Sequence, residues 1–593
     1  MNRFFGLAIL MLVIVNVNKA QDTSGWEPID YMKAVADRVI EKSLFEFKLE
    51  PNRPSKQFNQ IEFISFERNF PVSDKAVAYA LTNLQSNQDL SFTLDLAFSG
   101  SLKLWVNDQV VYQQSNTGPA KVEELERSIA LEDQVELTLK KGNNKILVKS
   151  MSSDPEWKVY FQNNAPRSAG LEFKLAEIKN ITPEIDEISN WMIIGPFVDQ
   201  ENLDQVLPPE EEFLISSLYE SGGQRVAWTI PKLEIIATTI GADPLWGTLY
   251  DYNYHTAGLA WSMYNLGEFT GEERFKNYLR DYCDFMFRIR PYIEYEKYNL
   301  ARYRSRHAFL VDKPLLDFTT APAIPFIYRL QKEGDFENRE TYEEFVGNIQ
   351  EYVMNRQLRL PDGTLARETP EKYTLWSDDM YMGVPFLLQA ALYADDPAKK
   401  KAFFDDAASQ ILTFAERNYD PEEQLFWHAH FTSRPEVKLP YWSRANGWAI
   451  WATSEVLLHL PKKHKNYRPI LKLFRDHVEG LSKVQDMETG FFRQLLEDPD
   501  SFVETSGTAI ITMAIARGLN NGWIPKKYRQ NAEKGWEALT TVIEPNGKVT
   551  KICVGTMTSE DPKDYLERPV ASDDSHGLLG LLFTGIEMQK LLK

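Results

Sequence analysis

Cysteine is nearly absent: Cys283 and Cys553 are the only two in 593 residues. So few thiols exclude a disulfide-stapled scaffold and a Cys-rich zinc module. Two free buried thiols are the favoured reading, and the sequence does not decide whether they pair. Positive charge is in deficit, 66 Lys and Arg against 85 Asp and Glu, for a net charge of -19. A surface this acidic repels phosphate backbones and anionic lipid, so nucleic acid is not expected as a partner. Histidine is scarce too, eight in all, and only His428 and His430 stand close together. With no third ligand near them, no metal is expected. Beyond the first 20 residues no apolar run reaches the ~18 residues of a membrane span, so none is expected.

What is present begins with Arg3, an apolar stretch from Phe4 to Val17, and Asn18-Lys19-Ala20. This is the layout of a cleavable signal over residues 1–20, with Gln21 as mature start, and it predicts a secreted or periplasmic protein. From about Ser91 to Gln162 polar and apolar residues alternate in short runs (SFTLDLAF, LKLWVNDQVVYQ, VELTLKKGNNKILVKSM). That period of two predicts an antiparallel β-sandwich, within a domain spanning 48–230. Val106-Asn107-Asp108 and Gly142-Asn143-Asn144 read as its hairpin turns. Its aromatics Trp105, Tyr112, Trp157 and Tyr160 serve either as sugar platforms or, more commonly in such modules, as core.

After Gly241 the period changes to that of helices. Six short loops, near His255, Phe318, Asp379, Arg444, Ser506 and Asp574, recur at intervals of 61 to 68 residues, and each leads into an apolar helix. Charged amphipathic helices such as YRPILKLFRDHVEGLSKV lie between them. Alternation of this kind predicts a ring of helical hairpins over 240–593, apolar helices inside, with all six loops at one end. That end is where a pocket is expected. Only five outer helices follow the six inner ones, and the segment 29–44 either supplies the sixth or packs as a free helix on the sandwich.

Three loops and the closing segment carry a resemblance. Trp376-Ser377-Asp378-Asp379-Met380-Tyr381-Met382, Tyr441-Trp442-Ser443-Arg444-Ala445-Asn446-Gly447-Trp448, Thr505-Ser506-Gly507-Thr508-Ala509 and Val554-Gly555-Thr556 through Asp573-Asp574-Ser575-His576-Gly577 resemble glycoside hydrolase family 105. The resemblance implies an (α/α)6 six-hairpin toroid, mainly α, with the β-sandwich as an additional N-terminal domain. It further implies an unsaturated rhamnogalacturonyl or glucuronyl hydrolase. Such an enzyme acts downstream of a polysaccharide lyase, on an oligosaccharide whose non-reducing end is a 4,5-unsaturated uronic acid, and needs no cofactor.

By that resemblance Asp378 is the catalytic acid, Asp317 the second carboxylate that orients sugar or water, and His428 a contact of the substrate ring. Read from the residues alone, Asp378, Asp379 and Asp317 are helix caps favoured by the dipole. Asp379 either supplies a like charge that raises the acid's pKa or is structural. Arg444 and Trp448 stand one turn apart on one helix face, which suits a guanidinium for the uronate carboxylate and an indole to stack on the sugar, or equally an Arg covering a core Trp. Tyr254 is a further candidate platform, and His576, after Asp573 and Asp574, joins the same end or caps its helix. Family members acting on rhamnogalacturonan carry a His about ten residues before the acid, where this chain has Ala366-Arg367-Glu368. Unsaturated glucuronides of ulvan or arabinogalactan origin therefore stand beside the rhamnose-linked substrate. Two other functions fit the same residues: an inverting glycosidase using Asp378 and Asp317 on saturated sugars, and a non-catalytic glycan-binding protein.

Overall fold

The computed structural model describes residues 23–593 apart from 53–54, 59–61, 71–74, 116–121, 124–127, 130, 132, 154–156, 176–188, 198–217, 222, 232–234, 244–246, 301–305 and 312–314. The expected signal segment, 1–20, lies outside the described residues. The chain divides into two compact units. One comprises residues 1–46, 240–290 and 306–593, the other 47–239 and 291–305. Among the described residues no helix is long and apolar enough to cross a membrane.

The second unit is built on two antiparallel sheets. In the larger, the order is Glu172–Leu175, Val77–Ser86, Gly142–Met151, Ser101–Val106 and Gln109–Ser115, with Met192–Phe197 also pairing to Val77–Ser86. The smaller runs Glu62–Ser65, Lys158–Asn163, Leu90–Phe98, Asp133–Leu139. Alternate residues from both sheets, Leu94 and Leu96 from one and Leu102, Leu104 and Val148 from the other, share one buried cluster, the consequence of a period of two. The first hairpin turn falls where expected: Asn107 and Asp108 take φ of 50° and 66°, which a two-residue hairpin connection requires. The second does not. Gly142-Asn143-Asn144 already belong to the strand, and the chain turns at Lys140-Lys141, where the Asn144 side chain accepts from Lys140 N at 2.8 Å and donates to Lys140 O at 2.8 Å. The aromatics are mostly core: Trp157, with its indole donating to Ser150 Oγ at 3.1 Å, joins the cluster between the sheets, and Trp105 a second cluster with Met192 and Trp228. Tyr160 is buried and Tyr112 half-buried, so Trp105, Trp157 and Tyr160 take the commoner of the two readings, core.

The helical unit contains α1 (Pro28–Lys42), α2 (Tyr254–Thr270), α3 (Glu273–Leu300), α4 (Thr320–Lys332), α5 (Arg339–Asn355), α6 (Asp379–Tyr393), α7 (Pro397–Asn418), α8 (Ser443–His459), α9 (Tyr467–Val484), α10 (Thr505–Asn520), α11 (Arg529–Thr540), the short α12 (Lys563–Leu566) and α13 (Ser575–Leu592). Residues 291–300 of α3 fall in the other unit. Six of these helices touch in a closed cycle: α2 with α4, α4 with α6, α6 with α8, α8 with α10, α10 with α13, and α13 with α2 again. They are buried on every side; in α8 every residue from Ser443 to Leu457 is. Helices walled in this way are largely apolar, bury a polar group only where it finds a partner, and are small where they meet. A Cβ on Gly507 of α10 would stand 2.5 Å from Ser443 Oγ of α8. The intervening helices are amphipathic, as α9 shows by burying Ile470, Phe474, His477, Val478 and Leu481. Helix α1 packs on α13, where Arg38 and Lys42 hold Asp573 at 2.8 and 2.6 Å. Both cysteines are buried and free.

Candidate active site

Five of the six loops that open the inner helices line one cavity of about 480 Å³. Tyr254 and His255 come from the start of α2, Asp317 and Phe318 from the turn before α4, Trp376 and Asp378 from the start of α6, Trp442 from the start of α8, and His576 from α13. Gly555, Thr556 and Met557 complete the rim. The loop before α10 is not among the lining residues, and its Ser506 is buried.

A short antiparallel pairing sets Asp378. Thr374–Trp376 pairs with Ala429–Phe431, Trp376 opposite Ala429, and Ser377 N donates to His428 O at 2.9 Å. The next residue, Asp378, thereby meets the His428 side chain: its Oδ2 lies 3.4 Å from His428 Nε2, and neither atom has another partner. On the far side of the imidazole, Nδ1 is 2.7 Å from Tyr565 Oη, which already accepts from Ser559 N at 3.2 Å. A phenol accepting from that amide can donate its own proton to Nδ1, which places the imidazole proton on Nε2, toward Asp378. No capping bond is made by Asp378, although it occupies the N-cap position of α6.

The residue missed by the sequence reading is Arg367. Its Nε and Nη2 donate to Asp379 at 2.9 and 2.8 Å, and its Nη2 and Nη1 to Asp317 at 2.9 and 3.2 Å, with the guanidinium 4.0 Å over the Trp376 ring. Burial pushes the Asp317 and Asp379 carboxyls up from the ordinary range, and Arg367 opposes this. Asp379, turned into Arg367 and almost without exposure, is not a sugar ligand. Asp317 sits in a single 3-10 turn, Leu316–Phe318, ahead of α4 rather than capping it. The available signal was an Arg set in an otherwise buried stretch, Leu365-Ala366-Arg367.

Elsewhere at the site Asp574 Oδ1 lies 2.6 Å from His576 Nδ1, and His576 Nε2 lies 2.7 Å from Tyr254 Oη. Burial raises the Tyr254 phenol well above its usual value, so it is neutral. Burial, then the neighbouring His576, lowers His255, which meets Ser575 Oγ at 2.6 Å. Tyr254 and His576 are thus brought into the cavity wall with Asp378 and Asp317.

Three expectations are corrected. Arg444 has no exposure; its Nη atoms donate to Ser506 Oγ and to the carbonyls of Cys553 and Val554 at 3.0, 2.6 and 2.7 Å, so those donors are not open to a carboxylate. Trp448 is equally buried, its ring stacked on Tyr381 at 4.5 Å, and offers no free face. His428 backs Asp378, packed between Trp376 and Trp442 at 5.5 and 4.6 Å, and does not reach the cavity. An i, i+4 spacing establishes a shared helix face but not what that face meets, and for α8 it meets other inner helices.

Comparison with known proteins agrees in direction. A family model described as Glycosyl Hydrolase Family 88 matches residues 246–592. The chain is 27% identical over 237 residues to the unsaturated rhamnogalacturonyl hydrolase YesR of Bacillus subtilis (strain 168), a stretch covering 39% of this chain and 65% of that protein. It is 29% identical over 180 residues to an unsaturated 3S-rhamnoglycuronyl hydrolase of Alteromonas sp. (strain LOR), covering 29% and 42% respectively. The match therefore spans less than two thirds of either relative. Among solved structures, a possible member of the GH105 family from Klebsiella pneumoniae subsp. pneumoniae MGH 78578 superposes with a TM-score of 0.49 at 19% identity, covering 60% of this chain and 85% of that one.

Proposed function

The chain belongs to glycosyl hydrolase family 88, and from that premise we propose that it removes a 4,5-unsaturated uronic acid from the non-reducing end of an oligosaccharide. The observation that carries the reading is the pairing of Asp378 Oδ2 with His428 Nε2 at 3.4 Å, where Asp378 forms part of a cavity wall with aromatic Tyr254, Phe318, Trp376 and Trp442. In this reading the helical unit is an (α/α)6 toroid whose loop end holds the reaction.

Asp378 enters as the acid and gives its proton to C4 of the C4=C5 enol ether. The ring oxygen stabilises the cation at C5, water adds there, and the Asp378 carboxylate takes the proton the water loses. The resulting hemiketal opens and releases the remaining sugar. His428, held by Tyr565, steadies the carboxyl between the two steps, and Tyr254 and Asp317 bind hydroxyls. Substrate ends of this kind arise by β-elimination, so a lyase acts first. The proposal includes export directed by residues 1–20.

The test is to add the protein to lyase-digested acidic polysaccharides of several kinds and follow the ultraviolet absorbance of the conjugated uronate. The expected result is its progressive loss, with release of the shortened saccharide. Cleavage of saturated glycosides with that absorbance untouched points instead to an inverting glycosidase, and tight binding without turnover to a glycan-binding protein; either outcome overturns the reading.

A further inference from the structure

Three carboxylates, Asp317, Asp378 and Asp379, and one guanidinium, Arg367, crowd a single corner of the cavity, and the guanidinium is shared unevenly. Both oxygens of Asp317 and both of Asp379 accept from Arg367, whereas no hydrogen bond or ion pair joins it to Asp378. The fork is held flat against the Trp376 indole at 4.0 Å, and Trp376 N adds a 3.4 Å bond to Asp379. A bidentate Arg fixes the plane of a carboxylate as well as its charge. Buried carboxyls without such a partner take up a proton.

We propose that Arg367 is the positioning residue of this site, holding Asp317 ionised and aimed at the cavity and keeping Asp379 from taking a proton, so that Asp378 is the carboxyl left free for proton transfer. This rests on the reading of Asp378 as the acid. Arg367 lines the cavity, but each of its nitrogens already points to a carboxylate, so it acts through Asp317 and not on the sugar. The other titratable groups around the corner are His428 and Tyr565 behind Asp378, and Tyr254, His255 and His576 in the cavity wall, with Arg444 close enough to Tyr254 to interact with it electrostatically. Of these, His428, Tyr565 and Tyr254 are tied into hydrogen bonds of their own, His576 is paired with Asp574, His255 meets Ser575, and the Nη donors of Arg444 go to Ser506 and two carbonyls, so none replaces the fork that Arg367 supplies. With Arg367 present, burial already lifts Asp317 and Asp379. Removing a charge partner at this distance raises a carboxyl by about one to three pH units.

In Arg367→Gln the acidic limb of the kcat/KM profile should therefore move up by about one to three pH units. Adding Asp379→Asn in the same chain, which removes one repelling carboxylate, should bring the limb part of the way back. A limb that stays at the wild-type position in folded Arg367→Gln overturns the proposal. Should that variant not fold, Arg367→Lys keeps the charge and loses the fork. The expected result is a kcat at least tenfold lower with KM little changed, as roughly estimated from the loss of one or more charge-assisted bonds; an unchanged kcat, or a raised KM alone, overturns it by making Arg367 dispensable or a substrate ligand. Infrared titration of protonated carboxyl groups in the unliganded protein separates this inference from the proposed function. If wild type leaves unsaturated uronides intact, the function reading fails, while an extra protonated carboxyl near neutral pH in Arg367→Gln still supports the role of Arg367 and its absence refutes it.

Discussion

The helical unit contains two buried clusters in which one arginine faces two carboxylates, and they are differently disposed. Near the C-terminal ends of inner helices, Arg517 of α10 donates to Glu455 of α8 at 2.7 Å and lies 3.6 Å from Glu587 of α13. Glu455 also accepts from the Trp451 indole at 2.9 Å, and Lys590 and Asn520 reach Glu587 at 3.1 and 2.9 Å. Burial pushes Glu455 up, but Arg517 and then His459 outweigh it and hold the carboxyl down at about 2. At the N-terminal ends, Arg367 faces Asp317 and Asp379, yet burial prevails there and both carboxyls are raised. The second cluster contains a third carboxylate, Asp378, and opens on a cavity. One arginine between two carboxylates therefore leaves Glu455 firmly ionised at one end, while at the other Arg367 only limits the rise that burial imposes on Asp317 and Asp379. What distinguishes them is the surrounding charge: His459 and Lys590 add cations to the first cluster, whereas Asp378 adds a further carboxylate to the second.

The contrast is sharpened most by Asp378→Asn. It should lower turnover of unsaturated uronides by about 10²- to 10⁴-fold, the range of a lost general acid, while the thermal midpoint stays near wild type because Asp378 makes no capping bond. Arg517→Met should do the reverse. Stranding buried Glu455 costs about 3–5 kcal/mol in denaturant unfolding, with kcat/KM of the folded fraction unchanged. Glu455→Gln tests the sign of the brace. Its folded pKa of about 2 is depressed below the ordinary 4.5, so its stabilisation is complete above pH 4.5 and is lost as pH falls toward 2. Wild type should lose on the order of 3 kcal/mol across that window and the Gln variant should lack this slope, as read by urea unfolding at a series of pH values. The smallest effect is expected for Tyr254→Phe. Losing the bond to His576 should reduce kcat/KM roughly two- to tenfold, the equivalent of about 0.5–1.5 kcal/mol, without moving the melting temperature; a larger drop would make Tyr254 part of the proton transfer itself.

Much of the architecture was legible because it rests on local periodicity. The 61- to 68-residue recurrence marks the starts of the inner helices, and their high apolar content follows from burial on every side. Asn107-Asp108 reads as a turn because those residues tolerate positive φ. Of the site, Asp378, Asp317, Tyr254 and His576 were each named, since each opens or precedes an inner helix and the helix starts share one end. Arg367 was passed over as a departure from a motif. Its partners lie 50 residues before it and 12 after it, separations to which no helical or strand period points.

By itself, then, the sequence determined which segments become the apolar and the amphipathic helices, which stretch carries the strands, and which carboxylates stand at or just before helix starts. Those are consequences of side-chain period and backbone preference over a few residues. Tertiary structure alone decided that Arg444 turns inward to carbonyls, that Trp448 lies beneath Tyr381, and that Arg367 bridges Asp317 and Asp379 while leaving Asp378 beside His428. Charge, burial and donor direction at those positions are set by residues brought together from distant stretches of the chain, and no local pattern encodes them.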